Sequence, residues 1–162
     1  MLLMKLAFYQ SMYNDSKTNV FNVQTSSCMN SSKLTTYYGF KTQYVTESYV
    51  YYLLVRKYRN VYAIFRSSAH CLAIERGRYT SNVIESCFCP YCKNIIENEL
   101  HFLLVCPLYK VIRKQFIDVK YYTYPCLNKF NALMSCGNEE VVKRTAIYLF
   151  YAFEKRKTMF NE

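Results

Sequence analysis

Only three glycines, Gly39, Gly77 and Gly137, are spread through 162 residues. Neither a P-loop nor a G-x-G-x-x-G turn can be built from them, because both need glycines a few positions apart. Aspartate is scarcer still: Asp15 and Asp118 are the two present, and no adjacent pair exists to hold two magnesium ions for phosphoryl transfer. Long apolar runs are missing as well. Uncharged stretches such as Thr145 to Phe153 reach about half the length a bilayer crossing needs, which excludes a membrane-spanning role. The apolar stretch from Met1 to Tyr9 is too short for a signal peptide. The eight cysteines therefore read as reduced thiols of an intracellular protein, nuclear or cytoplasmic, rather than as a secreted disulfide scaffold.

What the chain does have is apolar mass and positive charge. Hydrophobic side chains make up 52% of it, enough at this length for one core and too little for two comfortable domains. The formal net charge is +10, and three thiolates with one Zn²⁺ would contribute −1, leaving +9. Such a charge suits a polyanionic partner, RNA or DNA.

The densest chemistry lies in one run. Cys89 and Cys92 form a C-x2-C pair, and after eight residues His101 and Cys106 form H-x4-C. Three thiolates and an imidazole are the set that a closed, tetrahedral structural zinc prefers, with no position left open for catalysis. The C-x2-C pair bends the backbone around the ion, while His101 and Cys106, about one and a half helical turns apart, both face it. Cys87 offers a third thiol where two are needed; Cys89 gives the tighter knuckle. Glu97 and Glu99, before His101, read as helix-capping or solvated charges and not as an acid/base pair.

Along the chain, residues 14 to 36 are dense in Ser, Thr and Asn, too polar to offset their ordering entropy. The reading is a flexible N-terminal segment over 1–36 and a helical zinc-binding domain over 37–157. The fold class is mainly α, a small helical domain with a Cys3His zinc-knuckle insert. Tyr58, Tyr62, Phe65, Ala69 and Leu72 recur on one helical face that Gly77 ends, with Arg56, Arg59 and Arg66 on its flank. These arginines are a phosphate-binding stripe or a solvated face. After Pro107 a second helix puts Leu108, Val111, Ile112 and Phe116 on its apolar side and Lys110, Arg113 and Lys114 opposite. Tyr121 to Pro125 reads as extended and Leu127 to Met134 as a short helix. Asn138 caps a final helix with Glu139 and Glu140 in its first turn and a stripe of Val142, Ala146, Leu149 and Phe153, closed by Lys155, Arg156 and Lys157. His70, beside Cys71, reads as a packed or hydrogen-bonded side chain and not as half of a thiol dyad.

The order Phe65-Arg66-Ser67-Ser68-Ala69-His70, Ile74-Glu75-Arg76-Gly77-Arg78-Tyr79, the cysteine–histidine run and Cys106-Pro107-Leu108-Tyr109 resembles the carboxy-terminal region of non-LTR retrotransposon reverse transcriptases, over about residues 33 to 117. The resemblance implies a zinc-binding motif on Cys89, Cys92, His101 and Cys106, in a region that follows the polymerase core and helps grip nucleic acid. It adds Arg76 and Arg78 to the nucleic-acid-binding candidates. Cys87 and Asn98 depart from the family pattern, which commonly has a basic residue and an Asp there. With the polymerase aspartates absent, the resemblance implies a non-enzymatic fragment whose partners are RNA or DNA and the missing polymerase portion. The competing reading is a structural or protein-interaction fragment without nucleic-acid affinity.

Overall fold

The computed structural model describes residues 37, 39–41, 46–79 and 87–160. The proposed flexible segment 1–36 lies outside them. The chain divides at Val45/Thr46 into two units. In the first, Tyr37 accepts from the N–H groups of Phe40 and Lys41, and the Tyr37 and Phe40 rings meet edge-on.

The second unit is helical, and no strand occurs among the described residues. Its elements are α1 (Tyr49–Tyr52), α2 (Arg56–Arg66), α3 (Ala73–Tyr79), a π turn (His101–Val105), a 3₁₀ turn (Pro107–Tyr109), α4 (Lys110–Phe116), α5 (Val119–Tyr122), α6 (Leu127–Met134) and α7 (Glu139–Phe160). Helix α7 is the axis. At 22 residues it spans about 33 Å, and α1, α2 and α4 all pack on it. Its start follows the sequence reading: Asn138 Oδ1 accepts from Val141 N–H at 3.1 Å, and Glu139 and Glu140 lie in the first turn, where the helix dipole favours them. The expected stripe of Val142, Ala146, Leu149 and Phe153 is buried, together with Thr145, Tyr148, Ala152 and Arg156. Arg156 therefore does not end the helix as a solvated charge; it is fully buried, and α7 continues to Phe160.

An aromatic cluster joins the elements. Phe65 of α2 meets Phe102 at 6.0 Å, Phe130 at 6.5 Å and Phe153 at 6.3 Å between ring centroids, and Phe102 packs closer still, with tilted rings, on Phe153 and Tyr109, at 4.6 Å each. Phe102 is the residue after His101, so the core and the cysteine–histidine run share one piece of backbone.

The helical face expected to run from Tyr58 to Leu72 breaks after Arg66. Ser68 takes φ 52°, Ser68 N–H bonds Phe65 O at 3.3 Å and Ala69 N–H bonds Ile64 O at 3.0 Å, the paired bonds of a Schellman end. Ala69 is consequently exposed, while Leu72 is buried from a separate approach to α3. Gly77 does not stop a helix; it lies buried inside α3, where an added Cβ would collide with Cys87 Sγ. Tyr121 and Tyr122 are helical rather than extended, because Asp118 caps α5 by accepting from Lys120 N–H at 3.2 Å. Leu127–Met134 is a helix, as read. On α4 the inner face differs from the expected one: Arg113 is buried and Val111 exposed.

Candidate metal centre

The knuckle is a tight loop held by its own backbone. Phe88 and Ile96 form an antiparallel bridge, Cys89 N–H bonds Ile95 O at 2.8 Å and Glu97 N–H bonds Cys87 O at 2.9 Å. Between them Lys93, at φ 62°, reverses the chain, with Lys93 N–H on Cys89 O at 2.7 Å and Asn94 N–H on Cys92 O at 2.8 Å. Cys89 and Cys92 thus point into the loop. Cys87, two residues earlier, faces Gly77 instead and stays outside the cluster, which favours Cys89 over Cys87 as the ligand.

His101 and Cys106 come from the other side. Asn98 Oδ1 accepts from His101 N–H at 2.8 Å and starts the turn that carries both. Five residues of α-helix rotate through about 500°, leaving the last about 140° away from the first. The sequence expectation of ordinary helical pitch therefore fails here. The backbone resolves the mismatch with a π turn over His101–Val105, in which Cys106 N–H bonds His101 O at 2.7 Å, so that the fifth residue lies over the first.

The result is one group of ligand atoms, from Cys89, Cys92, His101 and Cys106, all within 4.8 Å of one another. Cys106 Sγ lies 3.9 Å from Cys89 Sγ and 3.8 Å from Cys92 Sγ. A tetrahedron with metal–sulfur bonds of about 2.3 Å has an edge of about 3.8 Å, so the thiols already stand at ligand spacing. His101 is 2% exposed, and among the described residues neither ring nitrogen has a hydrogen-bond partner. A buried imidazole without partners is costly unless something else satisfies it. Burial lowers the His101 pKa, with Glu97 opposing and Arg113 adding to the shift, so the ring is neutral and can donate a lone pair. Burial pushes the Cys92 and Cys106 thiols up, a penalty that a bound dication reverses. The residues fit a metal ion.

Behind the candidate ligands stand charged side chains, among them Glu97 and Glu99, which read from the sequence as helix-capping or solvated. Glu97, 1% exposed, forms a two-pronged pair with Arg156, at 3.0 Å from Nε and 2.9 Å from Nη2, and accepts from Ala73 N–H at 2.8 Å. It caps α3, not the helix that follows it in sequence. Glu99, 4% exposed, accepts from the Ser68 hydroxyl at 3.0 Å and lies 3.3 Å from His70 Nε2. Neither is a solvated charge. Arg113 fastens the π turn from outside, its Nε donating to Leu103 O at 2.7 Å and its Nη2 to Cys106 O at 2.9 Å.

The nucleic-acid candidates divide accordingly. Arg113 is consumed by the π turn. Arg66 is 6% exposed: it donates to Met134 O at the end of α6 and to Glu47 at 3.0 Å, and it faces the rings of Tyr49 and Tyr62. It does not align with half-buried Arg59 as a phosphate stripe, because a guanidinium with that many partners stays inside. Arg56, Arg76, Lys110 and Lys114 are exposed. The Arg78 side chain lies outside the described residues. Lys110 and Lys114 flank a cleft of about 430 Å³ that reaches from Val105 and Pro107 of the metal turn to Tyr122 and Pro125.

No family model, curated protein or solved structure matches the chain. Among the described residues no helix is long and apolar enough to cross a membrane.

Proposed function

We propose that the chain is a zinc-stabilised nucleic-acid-binding module without a polymerase site, in keeping with its resemblance to the region that follows the polymerase core of non-LTR retrotransposon reverse transcriptases. Zinc is the ion that three cysteines and a histidine at tetrahedral spacing favour. Its role is structural, since all four positions are filled by protein. The observation that carries the binding reading is the basic cleft beside the metal turn. Lys110 and Lys114, one turn apart on α4, supply phosphate contacts, and Tyr122 at the far wall supplies a ring on which a base of a single strand can stack. Arg56, Arg59 and Arg76 extend the positive surface. The missing polymerase portion of a parent protein is a second partner in this reading.

The decisive experiment is a titration of zinc-loaded protein with labelled single-stranded RNA and DNA at two salt concentrations. Affinity is expected to fall with salt. Lys110→Ala and Lys114→Ala are each expected to reduce the slope by about 0.7 for every phosphate that the lysine neutralises on a single strand. A second reading, an interaction fragment without nucleic-acid affinity, draws on the exposed apolar side chains of Tyr51, Leu54 and Val55, at 65%, 81% and 52% exposure. Salt-independent or undetectable binding, unaltered by both lysine substitutions, would decide for it.

A further inference from the structure

The geometry points to a second metal site, distinct from the cysteine cluster, formed by His70, Glu75 and Glu99. One ligand atom from each lies within 4.8 Å of the others, and all three residues are buried. They come from three segments: His70 from the loop after α2, Glu75 from α3 and Glu99 from the start of the turn that carries His101.

Burial of the histidine is the independent observation. Its side chain is 0% exposed, and among the described residues Nδ1 has no hydrogen-bond partner. Nε2 lies 3.3 Å from Glu99 Oε1, an ion-pair contact that holds the Glu99 carboxyl pKa down against the opposing effect of burial. That spacing has a direct reading: two donors bound at about 2.0–2.1 Å in a tetrahedron stand about 3.3 Å apart. The pair is set at the bite of a shared ion. Glu75 closes the third side, its carboxylate within 4.8 Å of the other two ligand atoms.

Support for the ligands is already in place. The Ser68 hydroxyl donates to Glu99 Oε1 at 3.0 Å, the kind of outer contact that orients a metal-binding carboxylate. Glu97, accepting from Ala73 N–H, ties α3 and hence Glu75 to the knuckle. One imidazole and two carboxylates suit a borderline divalent transition ion such as Zn²⁺, and the enclosed position makes its role structural, a staple between α3, the α2 end and the metal turn.

The test uses the full chain, stripped of metal and titrated with Co²⁺. Two equivalents are expected to bind. One brings thiolate-to-cobalt charge-transfer absorption; the other adds none, because it has no sulfur ligand. The chain has two histidines, so proton NMR of the wild type resolves the matter without any substitution. A second set of cobalt-shifted imidazole signals, from His70, is expected with the second equivalent. Glu99→Gln and Glu75→Gln should each lose that equivalent and keep the charge-transfer band, while Ser68→Ala should weaken it about tenfold or more. Saturation at one equivalent, a single shifted imidazole, or a second equivalent retained by both glutamine variants would overturn the site and leave the cysteine centre untouched.

Discussion

The single residues that matter most are charges in the wrong place by ordinary expectation. Glu97 and Arg156 are each 1% exposed, and their bidentate pair spans 59 positions of sequence. Removing one partner leaves the other buried and uncompensated, so Glu97→Ala or Arg156→Ala is expected to cost about 3–5 kcal/mol in urea denaturation of metal-loaded protein. The double variant should cost less than the two losses added, and additive losses would show that the pair is not coupled. Arg66 and Arg113 make the same point. Each donates to backbone carbonyls, so Arg66→Ala and Arg113→Ala should lower stability while leaving the salt slope of any nucleic-acid binding unaltered. Part of this was legible beforehand: Arg156 continues the stripe 142–146–149–153, and Arg113 lies four residues from both Tyr109 and Ile117, all buried. Read from the sequence, Arg113 nevertheless stands opposite the apolar side and Arg156 at the helix end, because faces assigned by residue type leave Tyr109 and Ile117 out of the apolar side. Which carboxylate or carbonyl they would meet was not legible, because those contacts join segments far apart in the chain.

At the scale of elements, the spacing of ligands was readable and the backbone that achieves it was not. Four residues between His101 and Cys106 do not fit an α-helix facing one ion, and that mismatch was the available signal for a π turn. The end of α2 was hidden for a different reason. A Schellman end usually carries Gly at its left-handed position, and here Ser68 occupies it, held by its bond to Glu99. Ser68→Ala should lose that charge-assisted bond, worth about 1.5–3 kcal/mol. Ser68→Gly should be milder by about 1 kcal/mol, since glycine relieves the left-handed backbone. Equal losses in thermal or urea unfolding would argue against this origin of the helix end. Gly77 offers a parallel test: Gly77→Ala should destabilise by about 1–3 kcal/mol through its clash with Cys87 Sγ. Adding Cys87→Ala should recover that loss while the metal content stays unchanged.

For the whole molecule, the core and the candidate metal centre are one structure, since His101 belongs to the Cys3His group and Phe102 beside it is the centre of the aromatic cluster. Metal binding and folding should then be coupled, and chelation should loosen the packing of α2 on α7 as well as the knuckle. Acid should act in the same direction. The Cys92 and Cys106 thiols, raised by burial, must release protons when metal binds, so affinity should fall as pH decreases, read as proton release in calorimetry across buffers of different ionisation enthalpy. Apolar periodicity made the helical class readable, and the net charge an excess of cations; which cations face solvent emerged only from the packing. The most direct test of the central claim is the cobalt charge-transfer signal of the refolded chain. A band that saturates at one equivalent, accompanies the return of helical circular dichroism and disappears in Cys106→Ser would support the Cys89–Cys92–His101–Cys106 centre. A chain that recovers its helices fully without metal, and shows no thiolate band at any cobalt level, would contradict it.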